Sequence, residues 1–134
     1  PPDPAPPAPP PEAALLAGMP GALDAAALRI LAEDIGHDGV AEMLEVFQQE
    51  TRARLQRMAA PQIAPAALMR EAHTLKGAAG TMCASLLQHR AEQLETRLRA
   101  GGLPGPAEIA GLTQAWEAFT EALDASRVLK PVEA

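Results

Sequence analysis

The chain is poor in the residues that build disulfide scaffolds, sheets and nucleic-acid surfaces. It has one cysteine in 134 residues, Cys83, so it cannot form an intramolecular disulfide. A reducing, cytoplasmic setting fits that usage. Tyrosine is absent, and the aromatic residues are Phe47, Trp116 and Phe119. The core is therefore left to Leu, Ala, Met, Ile and Val. That set suits helices better than sheets, which favour β-branched and aromatic side chains. Positive charge is also short: 11 Lys and Arg stand against 17 Asp and Glu, a net charge of -6 that makes nucleic acid a poor partner. No apolar run approaches the ~18 residues of a membrane span. No signal peptide is visible.

Apolar residues make up 48 % of the chain and charged residues 21 %, enough for one packed domain and against disorder over most of its length. Proline is concentrated at one end, with eight in residues 1–11. Such a stretch is extended and semi-rigid, and it reads as a linker through residue 20. A docking site for a proline-reading module is the alternative. The sequence divides into a linker at 1–20, a domain at 21–130 and a short tail at 131–134. It starts with proline rather than methionine, which favours a piece of something longer.

Five helical segments are expected in the domain. The first opens after Asp24, a good N-cap, and stops at Gly36. The second starts near Asp38, carries Val40, Met43, Leu44, Phe47, Thr51, Leu55 and Met58 on one face, and ends before Pro61. The third opens at Pro65, which suits a first helical turn. The fourth carries Leu87, Ala91, Leu94 and Leu98 and stops at Gly101 and Gly102, with Ser85 a candidate N-cap. The fifth opens near Pro106 and carries Ile109, Leu112, Trp116, Phe119 and Leu123. No segment alternates with period two. Short connections favour antiparallel neighbours. The expected fold is all-α: an antiparallel up-down four-helix bundle with a short additional N-terminal helix over one end.

The third helix carries the chemistry. At about 100° per residue, His73, Lys76, Gly77 and Gly80 share a side. Leu68, Ala72, Leu75, Ala79 and Met82 form the neighbouring core stripe. His73 thus sits beside the core, fixed yet open to solvent. A glycine inside a helix costs roughly 1 kcal/mol against alanine. Two glycines beside one histidine imply a close approach to the backbone. The weaker readings are a surface histidine, a solvated lysine and glycines that serve helix packing.

The run Ala72, His73, Thr74, Leu75, Lys76, Gly77, continued as Ala78, Ala79, Gly80, Thr81, Met82, Cys83, Ala84, resembles the signature of histidine-containing phosphotransfer (HPt) domains. Ala91, Glu92, Gln93, Leu94 and Glu95 are similar to a second helix segment of that family. The resemblance spans about residues 24–128 and agrees in helix count and order. It implies a module without kinase activity of its own, which accepts a phosphoryl group on histidine from a receiver-domain aspartate and passes it to a response regulator. Carried over, His73 is the phosphoacceptor. Its imidazole, with a reference pKa of about 6.5, offers a lone pair near neutral pH. Lys76 would offset phosphoryl charge, Gly77 would leave access, and Glu95 would orient the ring and fix its tautomer. Met69, Arg70, Gly80 and Arg99 are candidate partner contacts; Met69 reads equally as an extension of the core stripe, and Arg99 as an ion-pair partner of Glu95 on the surface. No metal site and no bound cofactor are expected in this domain, with Mg2+ supplied by the receiver partner. Where this chain has Cys83 the family often has glycine; cysteine is small enough to leave access, but the departure could narrow the site or allow a thiol to modulate it.

The resemblance further implies the C-terminal domain of a hybrid sensor histidine kinase, with a separately encoded shuttle as the alternative, in a parent protein often membrane-anchored, with this domain cytoplasmic; its motif on an exposed face makes a monomer the default for the isolated domain. Two rivals stand beside it: the phosphoacceptor domain of a chemotaxis-type kinase, and a helical docking module that never carries phosphate. A zinc site from His73, Cys83 and His89 matches no metal-ligand spacing. His37 and His89 read as structural or exposed.

Overall fold

The computed structural model describes residues 20–126. The proline-rich linker and the tail lie outside the described residues, apart from Pro20. All regular structure among the described residues is helical: α1 (Ala25–Ile35), α2 (His37–Met58), α3 (Pro65–Thr81), α4 (Ser85–Arg99) and α5 (Pro106–Ser126).

Local chemistry sets the ends. The Asp24 carboxylate accepts from the Ala27 N–H at 3.0 Å and caps α1. Gly36 adopts φ +85°, which lets one residue separate α1 from α2. Pro65 takes the first turn of α3, where no N–H is needed. Past α4, Gly101 turns left-handed at φ +85°. Its N–H donates to Leu98 O at 3.0 Å and the Gly102 N–H donates to Arg97 O at 2.9 Å, which satisfies two terminal carbonyls. Ser85 is not the N-cap of α4: Ala84 holds that position without a side-chain bond, and Ser85 is the first helical residue. Ala84 is fully buried and donates to Ala79 O at 2.9 Å, so the turn is set by packing and backbone bonding.

The stripes read from the sequence meet in one core. Leu28, Val40, Leu44, Leu75, Leu87, Leu112 and Phe119 are buried in it. Helix α3 packs on α4, α4 on α5, α5 on α2 and α2 on α3, and α1 lies against α2. The aromatic residues of the chain come together between α2 and α5. Phe47 meets Trp116 and Phe119 edge to face, at centroid separations of 5.4 and 5.7 Å. Such pairs add about 0.5–1.5 kcal/mol each beyond burial. The strand of chain before α1 is tied to the α3–α4 turn: Asp24 N–H donates to Cys83 O at 2.9 Å and Leu86 N–H to Gly21 O at 3.0 Å.

Cys83 is at the hinge of that turn. Its φ is +64°, the left-handed region that disfavours any side chain. It lies ten residues beyond His73, about 15 Å along a helix axis. Cysteine in place of glycine therefore bears on the backbone of the turn. Burial, then the charge of Asp24, pushes the thiol pKa above its ordinary value, so the sulfur stays protonated and unreactive at neutral pH. Comparing Cys83→Gly with Cys83→Ala isolates the backbone cost, since both remove the sulfur. The glycine variant is expected to be more stable than the alanine variant by about 1 kcal/mol. Equal urea midpoints for the two would show that the turn carries no such strain.

Candidate functional site

The site is built across α3 and α4. On α4, Ala91, Leu94 and Leu98 face the core, and Glu95 falls on the same stripe, four residues after Ala91 and three before Leu98. That register drives a carboxylate inward: Glu95 is only 5 % exposed. A buried carboxylate must be bonded or it costs several kcal/mol. Its partners come from α3. Lys76 Nζ donates to Oε1 at 2.8 Å, and His73 Nδ1 lies 2.5 Å from Oε2. Arg99, one turn along α4, approaches Oε2 at 3.7 Å.

These contacts shift the carboxyl. The hydrogen bond from Lys76 lowers its pKa most, the bond and charge of His73 lower it further, and burial opposes them. The net direction is down, so Glu95 is an anion at neutral pH. An anionic carboxylate only accepts, so His73 must place its ring proton on Nδ1. The other ring nitrogen is Nε2, on a side chain 61 % exposed. The arrangement makes an oriented imidazole on an exposed side chain, held by the carboxylate through Nδ1.

The remaining candidates divide by position. Gly77 is exposed, and a Cβ there would meet nothing within 4 Å. The carbonyl of Gly77 accepts from the Thr81 hydroxyl at 3.1 Å. Gly80 is half-buried against α4: a Cβ would lie 2.6 Å from Gln88 Nε2. It lets Gln88 cross, which is a packing role rather than a place on the open face. Lys76 is engaged with Glu95 here, rather than free beside His73. Glu95 is buried, so its contact with Arg99 is not the surface ion pair weighed from the sequence. Met69 is half-buried, which leaves it between its two readings. With Arg70, His73, Thr74 and Arg99 it lines a shallow depression of about 330 Å³. His37 is exposed at the start of α2, and His89 is half-buried on α4.

The sequence reading missed Glu71. Its carboxylate holds Arg57 at 2.8 Å and Arg54 at 3.8 Å, fixing α3 to α2 two residues before His73. Paired basic residues at 54 and 57, one turn apart on α2, were the available signal. Among the described residues no three His, Cys, Asp or Glu side chains group as a metal site. Among them also, no helix is long and apolar enough to cross a membrane.

The family model described as Hpt domain matches residues 42–127, more than half of the chain. That span contains the whole constellation of His73, Lys76, Gly77 and Glu95. No curated protein and no solved structure matches at significant similarity.

The depressed pKa of Glu95 has a consequence for stability. A carboxyl whose folded pKa is lowered contributes stability above its unfolded value, and loses it as pH falls through the folded value. The wild type should be more stable than Glu95→Gln at neutral pH, by about 1–2 kcal/mol. The gap should shrink as pH drops below the ordinary value of 4.5. Urea unfolding at stepped pH reads it directly; a gap unchanged through the acid limb would mean the carboxylate is not held in its charged form.

Proposed function

This chain belongs to the Hpt domain family, and on that premise we propose that His73 carries the phosphoryl group in transit between receiver domains. Membership implies histidine phosphotransfer in phosphorelay signalling, with receiver domains and response regulators as the general class of partner. The finer assignment to residues rests on one observation: an exposed imidazole has its Nδ1 held by a buried carboxylate, beside a glycine with open space above it.

In this reading Nε2 attacks the phosphorus of an aspartyl phosphate. The N–P bond forms, the P–O bond to the aspartate breaks, and the electron pair leaves with that carboxylate. The ring becomes cationic as it attacks, and the charge is shared with Nδ1–H, which faces Glu95. That anion favours the charged ring over the neutral one. The open space at Gly77 admits the donor loop. Lys76 neutralises Glu95 at rest and lies one turn from His73, within reach of phosphoryl oxygens. Transfer onward to the next aspartate reverses these steps.

The bundle reads as antiparallel and up-down. Supporting this, His73 meets Glu95, and Gly80 meets Gln88, on opposite sides of the turn at Cys83. Mg2+ belongs to the receiver in this account: Glu95 is engaged by Lys76, His73 and Arg99, and among the described residues no acidic side chains group as a metal site. We place the domain on the cytoplasmic side of a hybrid sensor kinase, after a proline-rich tether at 1–20, with the bundle at 21–130 and a tail at 131–134. As an isolated domain it is a monomer.

Two experiments test this. The protein is mixed with a phosphorylated receiver and Mg2+, and acid-labile phosphate is followed by intact mass. The wild type should gain one phosphate and His73→Gln, correctly folded, none; label that persists in His73→Gln would remove His73 from the mechanism. Gly77 separates access from folding. Since its Cβ space is empty, Gly77→Ala should stabilise the helix by about 0.5–1 kcal/mol, while Gly77→Leu slows transfer. Unchanged transfer in Gly77→Leu would mean that this space is not the donor's path.

A further inference from the structure

The polar bonds of α3 to its neighbours fall on two opposite sides. Toward α4, Glu95 takes Lys76 Nζ and the His73 ring. Toward α2, Glu71 takes Arg57: Nε donates to Oε2 at 2.9 Å, and Nη2 lies 2.8 Å from the same oxygen. Glu71 and His73 are two residues apart, so they project about 200° from each other around the helix. Among the described residues, no carboxylate other than Glu71 forms an ion pair between α2 and α3.

Packing leaves that seam partly open. Further along it the two helices part around a shallow groove of about 420 Å³, walled by Met43, Val46 and Phe47 from α2 and by Ala78 and Met82 from α3. Glu71 also faces a second cation on α2. Arg54 Nε is buried with no hydrogen-bond partner and stands 3.8 Å from Glu71 Oε2, on a side chain 12 % exposed. That is too far to bond but close enough for the carboxylate to balance a charge that burial makes costly. Glu71 is therefore tied to α2 by an exposed guanidinium and a buried one.

We infer that Glu71 is a positioning residue for phosphotransfer: held by Arg57 and balanced against Arg54, it fixes the rotation of α3 about its axis and so the bond between the His73 ring and Glu95. The inference rests on His73 being the phosphoacceptor. Glu71 touches no reacting atom. Glu95 draws on α3 from one side, and Glu71 supplies the opposing restraint. Side-chain ends lie roughly 5–6 Å from a helix axis, so a rotation of about 10° moves them about 1 Å. A shift of that size takes a hydrogen bond out of range, and a misplaced reacting group can cost on the order of a hundredfold in rate. Core packing opposes the rotation as well, so the loss on cutting the α2 tie is a fraction of that.

The test uses the whole chain as wild type, Arg57→Gln, Glu71→Gln and the double variant, at a temperature where melting curves show all four folded. Arg57 is the cleaner probe, because it is exposed, lies on α2 and leaves Glu71 to balance Arg54. Transfer from a phosphorylated receiver with Mg2+ is timed by intact mass. Ring 15N spectra of His73 are recorded without a receiver at about pH 9, above the ordinary imidazole pKa of about 6.5. Each single variant should transfer roughly threefold to tenfold more slowly, and the double variant no more slowly than Glu71→Gln, since one path carries both effects. The wild-type ring should hold its proton on Nδ1, and the Nε2–H tautomer should rise in the variants. A wild-type rate in Arg57→Gln overturns the inference and leaves the phosphorelay reading standing. Slower transfer with an unchanged ring spectrum also overturns it, because the tie then acts on docking and not on the imidazole. If the wild type itself takes no phosphate, the phosphorelay reading falls and the positioning role falls with it.

Discussion

One buried charge organises this molecule. Glu95 occupies a core position on α4, where a carboxylate without partners would be driven to protonate or to unfold its surroundings. It remains ionised because α3 brings Lys76 and His73 to it. The same bonds that satisfy the carboxylate also orient the imidazole and choose its tautomer. Stability and chemistry thus share one interaction. The ammonium holds one oxygen, the ring N–H the other, and Nε2 is the ring nitrogen left over.

The demand on α3 explains its composition. One side must be small and apolar enough to pack closely on α4, which Ala72, Leu75 and Ala79 provide. The next side must carry the ring and the ammonium inward to Glu95 while leaving their surroundings open. Gly77 keeps the outer surface clear, and Gly80, lower on the helix, lets Gln88 cross. The two glycines look alike in the sequence and do different work. Glu71, bonded to Arg57, fixes the helix from its α2 side, so the site is held from both neighbours.

Much of the fold was legible because helix periodicity and helix punctuation are local. Asp24, Gly36, Pro65, Gly101 and Pro106 act on their own turns, and the core stripes follow from spacing alone. Glu95 was legible as a partner for His73 by resemblance, and its burial could have been read from its place between Ala91 and Leu98. What escaped is what depends on another helix. The bond of Lys76 to Glu95, the crossing of Gln88 at Gly80 and the burial of Ala84 at the α4 cap are set by the α3–α4 register, which no single-helix pattern encodes. The backbone part played by Cys83 escaped for the same reason. Its distance in sequence from His73 was plain, but its left-handed φ belongs to the turn between two packed helices.

That turn is where local backbone geometry reaches the chemistry. His73 lies ten residues before Cys83 and Glu95 twelve after it. Shifting either helix by one residue would rotate it by about 100° and slide it by 1.5 Å. A rotation of that size takes Glu95 off the core stripe and away from both partners. The register must therefore be pinned at the turn, and it is pinned three ways: by the left-handed Cys83, by the bond of Ala84 N–H to Ala79 O at 2.9 Å, and by the chain before α1, which bonds to Cys83 O and Leu86 N–H. The short first helix, remote from the histidine, thus has a reason to be present. The chain that leads into it, through Gly21 and Asp24, holds the turn that keeps a carboxylate beside an imidazole.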